Sequence, residues 1–508
     1  MTPESTRRTF LRAGTATAAG LVVAGSAAQG GEADYPRDHP GRGGPVGSPT
    51  DRGKLVRGFR AAGLAPVLVE TPDLPKLPFR MNDGVKEFRL HAGHTRREFL
   101  PGAWMDVWGY NDCMPGPTIE ATVGDRVRII LHNMLPESTI LHLHGIELAN
   151  RYDGVHGITG EPVRPGELAT YEFDVHQDGT FIYHSHGPMQ SGIGMAGLLI
   201  LHPRAAHEPA VDHDFALMIQ EWAVMPASTI PNTTSMEFNW FTLNGRSAPY
   251  VTPLVVKLGS RVRIRFVNMS PIDHHPMHLH GHTFWVTGGD GGRYPESAWL
   301  PANTTLVGVA QSRDVEFIAN NPGDWVLHCH MFHHMMNHMT VMVGPMGGHN
   351  HGGMPAGSNA QTGMGMTQGG PALSRENGPS MGRAMGEHTS NERAVKTGLG
   401  GDKPDDHAGH EGHHMPKPGE RVPGFPQDMM DMHGMMSEAE LKQLTKPQTR
   451  GLRRNWYEGV EALHTIVRVL PPELYDQIVS GKGEVKPGAS VPGGDEGEMP
   501  AMHHDHHH

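Results

Sequence analysis

The chain has 508 residues, enough for about three domains if all of it folds. Its formal net charge is −12 and its basic residues are scattered, which leaves no basic patch for nucleic acid. The 37 His and 31 Met are in excess. Both are metal ligands, and together they suit copper better than calcium or magnesium.

The N-terminus reads STRRTFLRAGTATAAGLVVAGSAAQG. Arg7–Arg8, then Phe10 and Leu11, precede a mildly apolar run that ends in small residues. This resembles a twin-arginine export signal. Residues 1–28 are therefore expected to be removed and the product to be periplasmic or extracellular. No other stretch is long enough to span a bilayer, so no stable membrane insertion is expected. Residues 29–64 are Pro, Gly and charge and predict a flexible arm.

From residue 65 the pattern changes. VKEFRLHAGHTRREF, TIEATVGDRVRIILHN and LATYEFDVHQDGTFIYH alternate apolar and polar positions between Gly, Pro, Asp and Asn breaks. That predicts many short strands and an all-β sandwich or barrel. The pattern repeats. TIEATVGDRVRIILHN corresponds to LVVKLGSRVRIRFVN, LHLHG at 141–145 to MHLHG at 277–281, and DGTFIYHSH to PGDWVLHCH. Two copies of one β-domain are predicted, over 65–205 and 210–345.

Residues 346–436 are Gly/Pro/Met/His-rich without periodicity and predict a disordered segment. A short helical segment is expected over 437–480. Ser437 with Glu440 forms a capping box, and Trp456, Val460, Leu463, Val467 and Leu470 fit one helical face. ELYDQIV resumes after Pro471–Pro472, and 481–508 is expected to be a disordered His-rich tail.

Four His-x-His pairs carry the chemistry: His142/His144, His184/His186, His278/His280 and His328/His330. Strand residues two apart share a face, so each pair presents two imidazoles side by side. Eight imidazoles at matched positions of a repeat exceed the needs of one metal and suit a cluster of about three. Cys329 lies between His328 and His330 and points to the other face. One strand can thus give imidazoles to a cluster and a thiolate to a separate site. A blue-copper site needs one thiolate, two imidazoles and often an axial thioether. The spacing offers His275 or His274, His334 or His333, and Met339, Met335 or Met336. It favours His275, which is turned off the cluster face, with His334 and Met339 at five and ten residues past the cysteine. Cys113 is left as a packing residue or free thiol.

At this point HLHG, HSH, HPMHLHGH and HCHMFHHMMNHM resemble the four copper-binding motifs of multicopper oxidases. The resemblance covers about 65–345. It implies two cupredoxin-like Greek-key domains and four coppers per chain. By motif position it assigns His275, Cys329, His334 and Met339 to a type 1 copper. It assigns His142 and His278 to type 2, and His144, His184, His186, His280, His328 and His330 to the type 3 pair. Only 186 residues separate His142 from His328, which resembles the two-domain, small-laccase branch. In the first domain Ser185, Gln190, Met195 and Thr139 stand where Cys329, His334, Met339 and His275 stand in the second, the shell of a lost type 1 site. Since each domain holds half of the cluster ligands, the resemblance implies a homotrimer with clusters at interfaces between first and second domains.

The implied activity is laccase-like: one-electron oxidation of phenols or Cu(I), coupled to four-electron reduction of O2 to water. Cys329, His328 and His330 carry the electron path, and Asp112 is a candidate proton relay or a turn former. Asp273 and Asp290 could steer a cation or accept a phenol proton. The alternatives are a copper-storage or copper-tolerance protein, suggested by 14 His and 14 Met in residues 345–508, and a copper nitrite reductase, which Ser185 and the four complete pairs oppose.

Overall fold

A computed structural model describes residues 60, 63–225, 228–336 and 437–490. The signal peptide, nearly all of the arm, Met339, the 346–436 segment and the end of the tail lie outside the described residues. The described chain is all-β, with four sheets and a few short helices.

The first sandwich is built from a five-stranded sheet and a four-stranded sheet. The larger contains Phe79–Asn82, Val85–Leu100, Ala103–Tyr110, Arg126–Asn133 and Leu168–Asp174. The smaller runs Gly116–Thr122, Ala196–His202, Gly179–Ser185, Leu141–His144. Alternate residues of Arg126–Asn133 point inward, so Val127, Ile129 and Leu131 are fully buried while Arg128 and Ile130 are only half-buried. That inward face meets Ile119, Leu143, Phe181 and Leu199 of the opposite sheet in one core.

The second sandwich repeats the plan. A seven-stranded sheet centred on His213–Trp222, Arg261–Asn268, Ser312–Ile318 and Phe284–Gly289 faces a five-stranded sheet. The latter runs Leu254–Lys257, His464–Leu470, Gly323–Cys329, His275–Leu279, Thr304–Val307. The two sandwiches adjoin through Val69, Ile182, Leu198 and Ile200 against Ala216, Met218 and Val267. A buried polar knot also bridges them. Thr180 Oγ1 donates to Asp314 (2.8 Å) and accepts from Arg265 (2.7 Å), whose guanidinium also holds Asp214.

The strand His464–Leu470 corrects the expectation of a helical face over 456–470. It lies between Leu254–Lys257, to which it is parallel, and Gly323–Cys329, to which it is antiparallel, and all seven of its residues are buried. A strand covered on both faces shows no alternation, and its Thr, Ile and Val favour the pleated surface. Within a short window such a run also satisfies a helical period. The flanking expectations hold. Ser437 caps Glu438–Gln443 with the full capping box, and Pro472–Ser480 is helical. The second domain thus ends with a segment that returns after more than a hundred residues.

Candidate metal centre

Each His-x-His pair sits at a strand end, as the two-residue period requires. His142 and His144 lie on Leu141–His144, which pairs with Gly179–Ser185 so that His142 is opposite His184. In the second domain His278 is opposite His328. The glycine of HLHG closes each first pair with a left-handed turn. A Cβ at Gly281 (φ +69°) would meet the Trp325 ring at 2.4 Å, so only glycine fits there.

Two groups of four imidazoles result. His142, His144, His184 and His186 have ring centroids 5.2–6.5 Å apart. His278, His280, His328 and His330 lie 4.9–5.7 Å apart. Among the described residues no ring contact or hydrogen bond joins the two groups. His186, His280 and His330 are exposed.

Ring orientation is fixed in the same way in both domains. His142 Nδ1 lies 2.6 Å from Asp153 O and His278 Nδ1 lies 2.7 Å from Asn303 O. His184 Nδ1 lies 2.8 Å from Ser185 O, and His328 Nδ1 lies 2.8 Å from Cys329 O. A carbonyl can only accept, so each Nδ1 carries the proton and each Nε2 is left as a lone-pair donor. Burial lowers the pKa of His184 and of His328 to about 4 and depresses His144 and His280 as well. These rings are neutral at pH 7, the form a metal binds.

On the opposite face of the Gly323–Cys329 strand, three donors converge. Cys329 Sγ lies 3.7 Å from His275 Nδ1 and 3.7 Å from His334 Nδ1, and the two nitrogens are 3.2 Å apart. Three ligands at about 2.0–2.3 Å from one centre have such separations. The donor set, one sulfur and two imidazoles in a buried pocket, fits copper in trigonal geometry. His334 and His275 are the histidines brought together, while His333 and His274 are exposed. All three ligand residues are almost fully buried. Burial holds His275 at about 3 and raises the free Cys329 thiol to about 12, so a metal must displace its proton.

The far nitrogens are held too. Ser270 Oγ is 2.7 Å from His275 Nε2, and Asp273 Oδ2 is 3.4 Å from His334 Nε2. Glu221, buried beside them, accepts from the backbone N–H groups of Ile272 and Asp273. Its own burial and the Asp273 charge keep its pKa at about 8 despite those hydrogen bonds. Sequence reasoning missed Ser270 and Glu221, which carry no motif. It also missed His464, whose ring stacks on His328 (4.9 Å, 11°). The repeat offered a signal for His464. Leu199, Leu201 and Pro203 follow the first-domain site as Val467, Val469 and Pro471 follow the second.

The first-domain counterpart is filled by hydrogen bonds. Thr139 Oγ1 and Ser185 Oγ donate to Gln190 Oε1 (2.7 and 2.6 Å), and Gln190 Nε2 donates to Glu137 (2.7 Å). Asp112 is exposed at the tip of a two-residue turn, where it and Asn111 have φ of 55° and 52° and Tyr110 and Cys113 exchange backbone bonds. Among the described residues no hydrogen bond ties it to a histidine, so this geometry is that of a turn former. Cys113 is a buried free thiol, and Asp290 pairs with Arg313.

Two family models described as multicopper oxidase match this chain, over residues 92–206 and 221–345. Laccase-1 of Botryotinia fuckeliana is 33% identical over 224 residues, 42% of this chain and 39% of that protein. Multicopper oxidase MmcO of Mycobacterium tuberculosis is 28% identical over 276 residues, 46% of this chain and 54% of that protein. The chain thus spans about half or less of the length of these relatives. Among solved structures, the blue copper oxidase of Nitrosomonas europaea is 29% identical at a TM-score of 0.46, covering 49% of this chain and 81% of that one.

Proposed function

The chain belongs to the multicopper oxidase family, and from that premise we propose that it is a laccase-like oxidase taking electrons singly from phenols or Cu(I) and passing them to O2. The observation that carries this reading is the strand Gly323–Cys329, which serves two donor sets at once. Cys329 faces His275 and His334, while His328 faces the imidazole group on the other side.

His275, Cys329 and His334 would hold a type 1 copper. His142 and His278 would hold type 2, and His144, His184, His186, His280, His328 and His330 the type 3 pair, four coppers in all. Copper bound there would supply one-electron acceptance at the cysteine site and four-electron dioxygen reduction at the imidazole cluster. The protein's part is positional. Cys329 is covalently joined to both His328 and His330, so the shortest bonded route between the donor sets runs through three residues. Ser270 orients His275, and the carbonyls of Asp153, Asn303, Ser185 and Cys329 aim four imidazoles.

Closure of the eight-imidazole set is assigned to a homotrimer, in which the first-domain group of one subunit meets the second-domain group of the next. Head-to-tail contacts of this kind close into rings. The twin-arginine pattern at Arg7–Arg8 supports export to the periplasm or beyond. The thioether-rich residues past 344 support Cu(I) as one reductant, because soft ligands select it.

The test is oxygen uptake by copper-loaded protein with a phenol, Cu(I), Fe(II) and Mn(II) in parallel, repeated with Cys329→Ser. The substitution is expected to remove the blue absorption and oxygen uptake together. Uptake that survives it would refute the route through Cys329.

A further inference from the structure

We infer that the axial position at the Cys329 site belongs to Leu463, a residue with no donor atom, rather than to a methionine of the HCHMFHHMMNHM motif. The inference rests on the reading of His275, Cys329 and His334 as a type 1 copper site.

The two domains calibrate one another. In the first, Ser185 N–H donates to Met195 O (3.1 Å), and Met195 N–H donates to Gln190 O (3.1 Å). In the second, Cys329 N–H donates to Leu463 O (3.0 Å), and Leu463 N–H donates to His334 O (3.0 Å). Leu463 therefore stands to Cys329 and His334 as Met195 stands to Ser185 and Gln190. Strand register gives the same answer twice more. His184 is opposite Ala196 as His328 is opposite His464. Ile119 is opposite Leu199 as Leu254, its counterpart in the repeat, is opposite Val467. Each correspondence is an offset of 268 residues (195 to 463, 196 to 464, 199 to 467).

Leu463 is fully buried in the same apolar core as Cys329 and Met277. Spacing from Cys329 points to Met339 only if the chain runs straight on into the next strand. Here that strand comes from 464–470, so the residue leading into it comes from there too. A thioether on the axis donates to the oxidised ion and lowers its potential. A leucine leaves the trigonal set of one sulfur and two nitrogens alone and keeps the potential high. This extends the reach of the site to phenols that are harder to oxidise.

The experiment is a redox titration of the blue band in copper-loaded full-length protein against a one-electron mediator. It compares wild type, Leu463→Met and the triple variant M335L/M336L/M339L. Leucine to methionine conserves volume. Leu463→Met is expected to shift the equilibrium at least tenfold toward Cu(II), or 59 mV for one electron, while the triple variant stays within twofold of wild type. A tenfold shift toward Cu(I) in the triple variant, or an unmoved Leu463→Met, overturns the inference while leaving the copper site standing. If Leu463→Met does not fold, the triple variant decides alone. Wild-type protein that shows no blue band with Cu(II) removes the site itself, and the inference with it.

Discussion

Replacing Ser270 by alanine tests whether the type 1 imidazoles are oriented by the groups behind them. The Ser270 hydroxyl lies 2.7 Å from His275 Nε2, and the two residues are 2% and 0% exposed. With Nδ1 facing the metal, Nε2 carries the proton and donates to Ser270 Oγ. Without that acceptor the ring keeps its burial but loses its anchor and leaves a buried N–H unpaired. Losing such a group costs about 10–100-fold in metal affinity, or about 1.4–2.8 kcal/mol. His334 supplies an internal comparison. Its Nε2 is 3.4 Å from Asp273, a carboxylate 34% exposed, and such a solvent-screened contact contributes less than about 1 kcal/mol. Ser270→Ala should therefore weaken copper binding more than Asp273→Asn does. The assay is Cu(II) titration of each protein against a competing chelator, read at the blue band. If Ser270→Ala binds copper within twofold of wild type, or if Asp273→Asn is the weaker binder, the argument from distance and burial is wrong.

Other outcomes follow from the packing. Arg468 is fully buried on the returning strand, where it pairs with Asp324 (2.8 Å) and donates to the Gln448 and Arg450 carbonyls (2.7 Å each). Arg468→Met should cost about 3 kcal/mol or more in urea unfolding, and adding Asp324→Leu should recover much of it; an equally unstable double variant would argue against an ion-pair origin. Glu316 is fully buried, and burial would raise its pKa, but Arg293 and Arg261 hold it at about 2. Because its folded value lies below the ordinary 4.5, its stabilisation is present above pH 4.5 and fades as pH falls toward 2. That difference is about 3 kcal/mol, so the gap in urea midpoint between wild type and Glu316→Gln should be wide at pH 6 and narrow by pH 2.5. Deleting 346–436 keeps the returning strand and should slow Cu(I) oxidation while sparing phenol oxidation. Truncation after 345 removes that strand and should abolish the blue site, as absorbance after copper loading will report.

The two donor sets were legible because their chemistry coincides with a geometric rule. Histidines two apart share a strand face, and the cysteine between them must take the other, so HCH states a division of labour without a structure. Choosing His334 over His333 needed coordinates, since the turn over Phe332–Met335 decides which ring reaches Cys329. Ser270 was invisible because a serine five residues before a ligand is ordinary composition, and only the bend of the chain brings its hydroxyl to His275. The strand His464–Leu470 was misread because local periodicity does not say what covers a segment. Both of its faces are covered by the second domain itself.

That strand also sets a clock on biosynthesis. Cys329 emerges from the ribosome 141 residues before Leu470. At about 5–20 residues per second, translation needs a further 7–28 s, roughly, before the last strand of the second domain exists. Until then the strand bearing the thiolate has an open edge beside it, and the fold that shapes the copper pocket is incomplete. The first domain closes on a strand only a few residues past its own histidines and can fold while synthesis continues. Metal loading at Cys329 is therefore a post-translational event by construction. A chain cut short by a late nonsense codon would carry every ligand in its motifs and still lack the strand that completes its pocket.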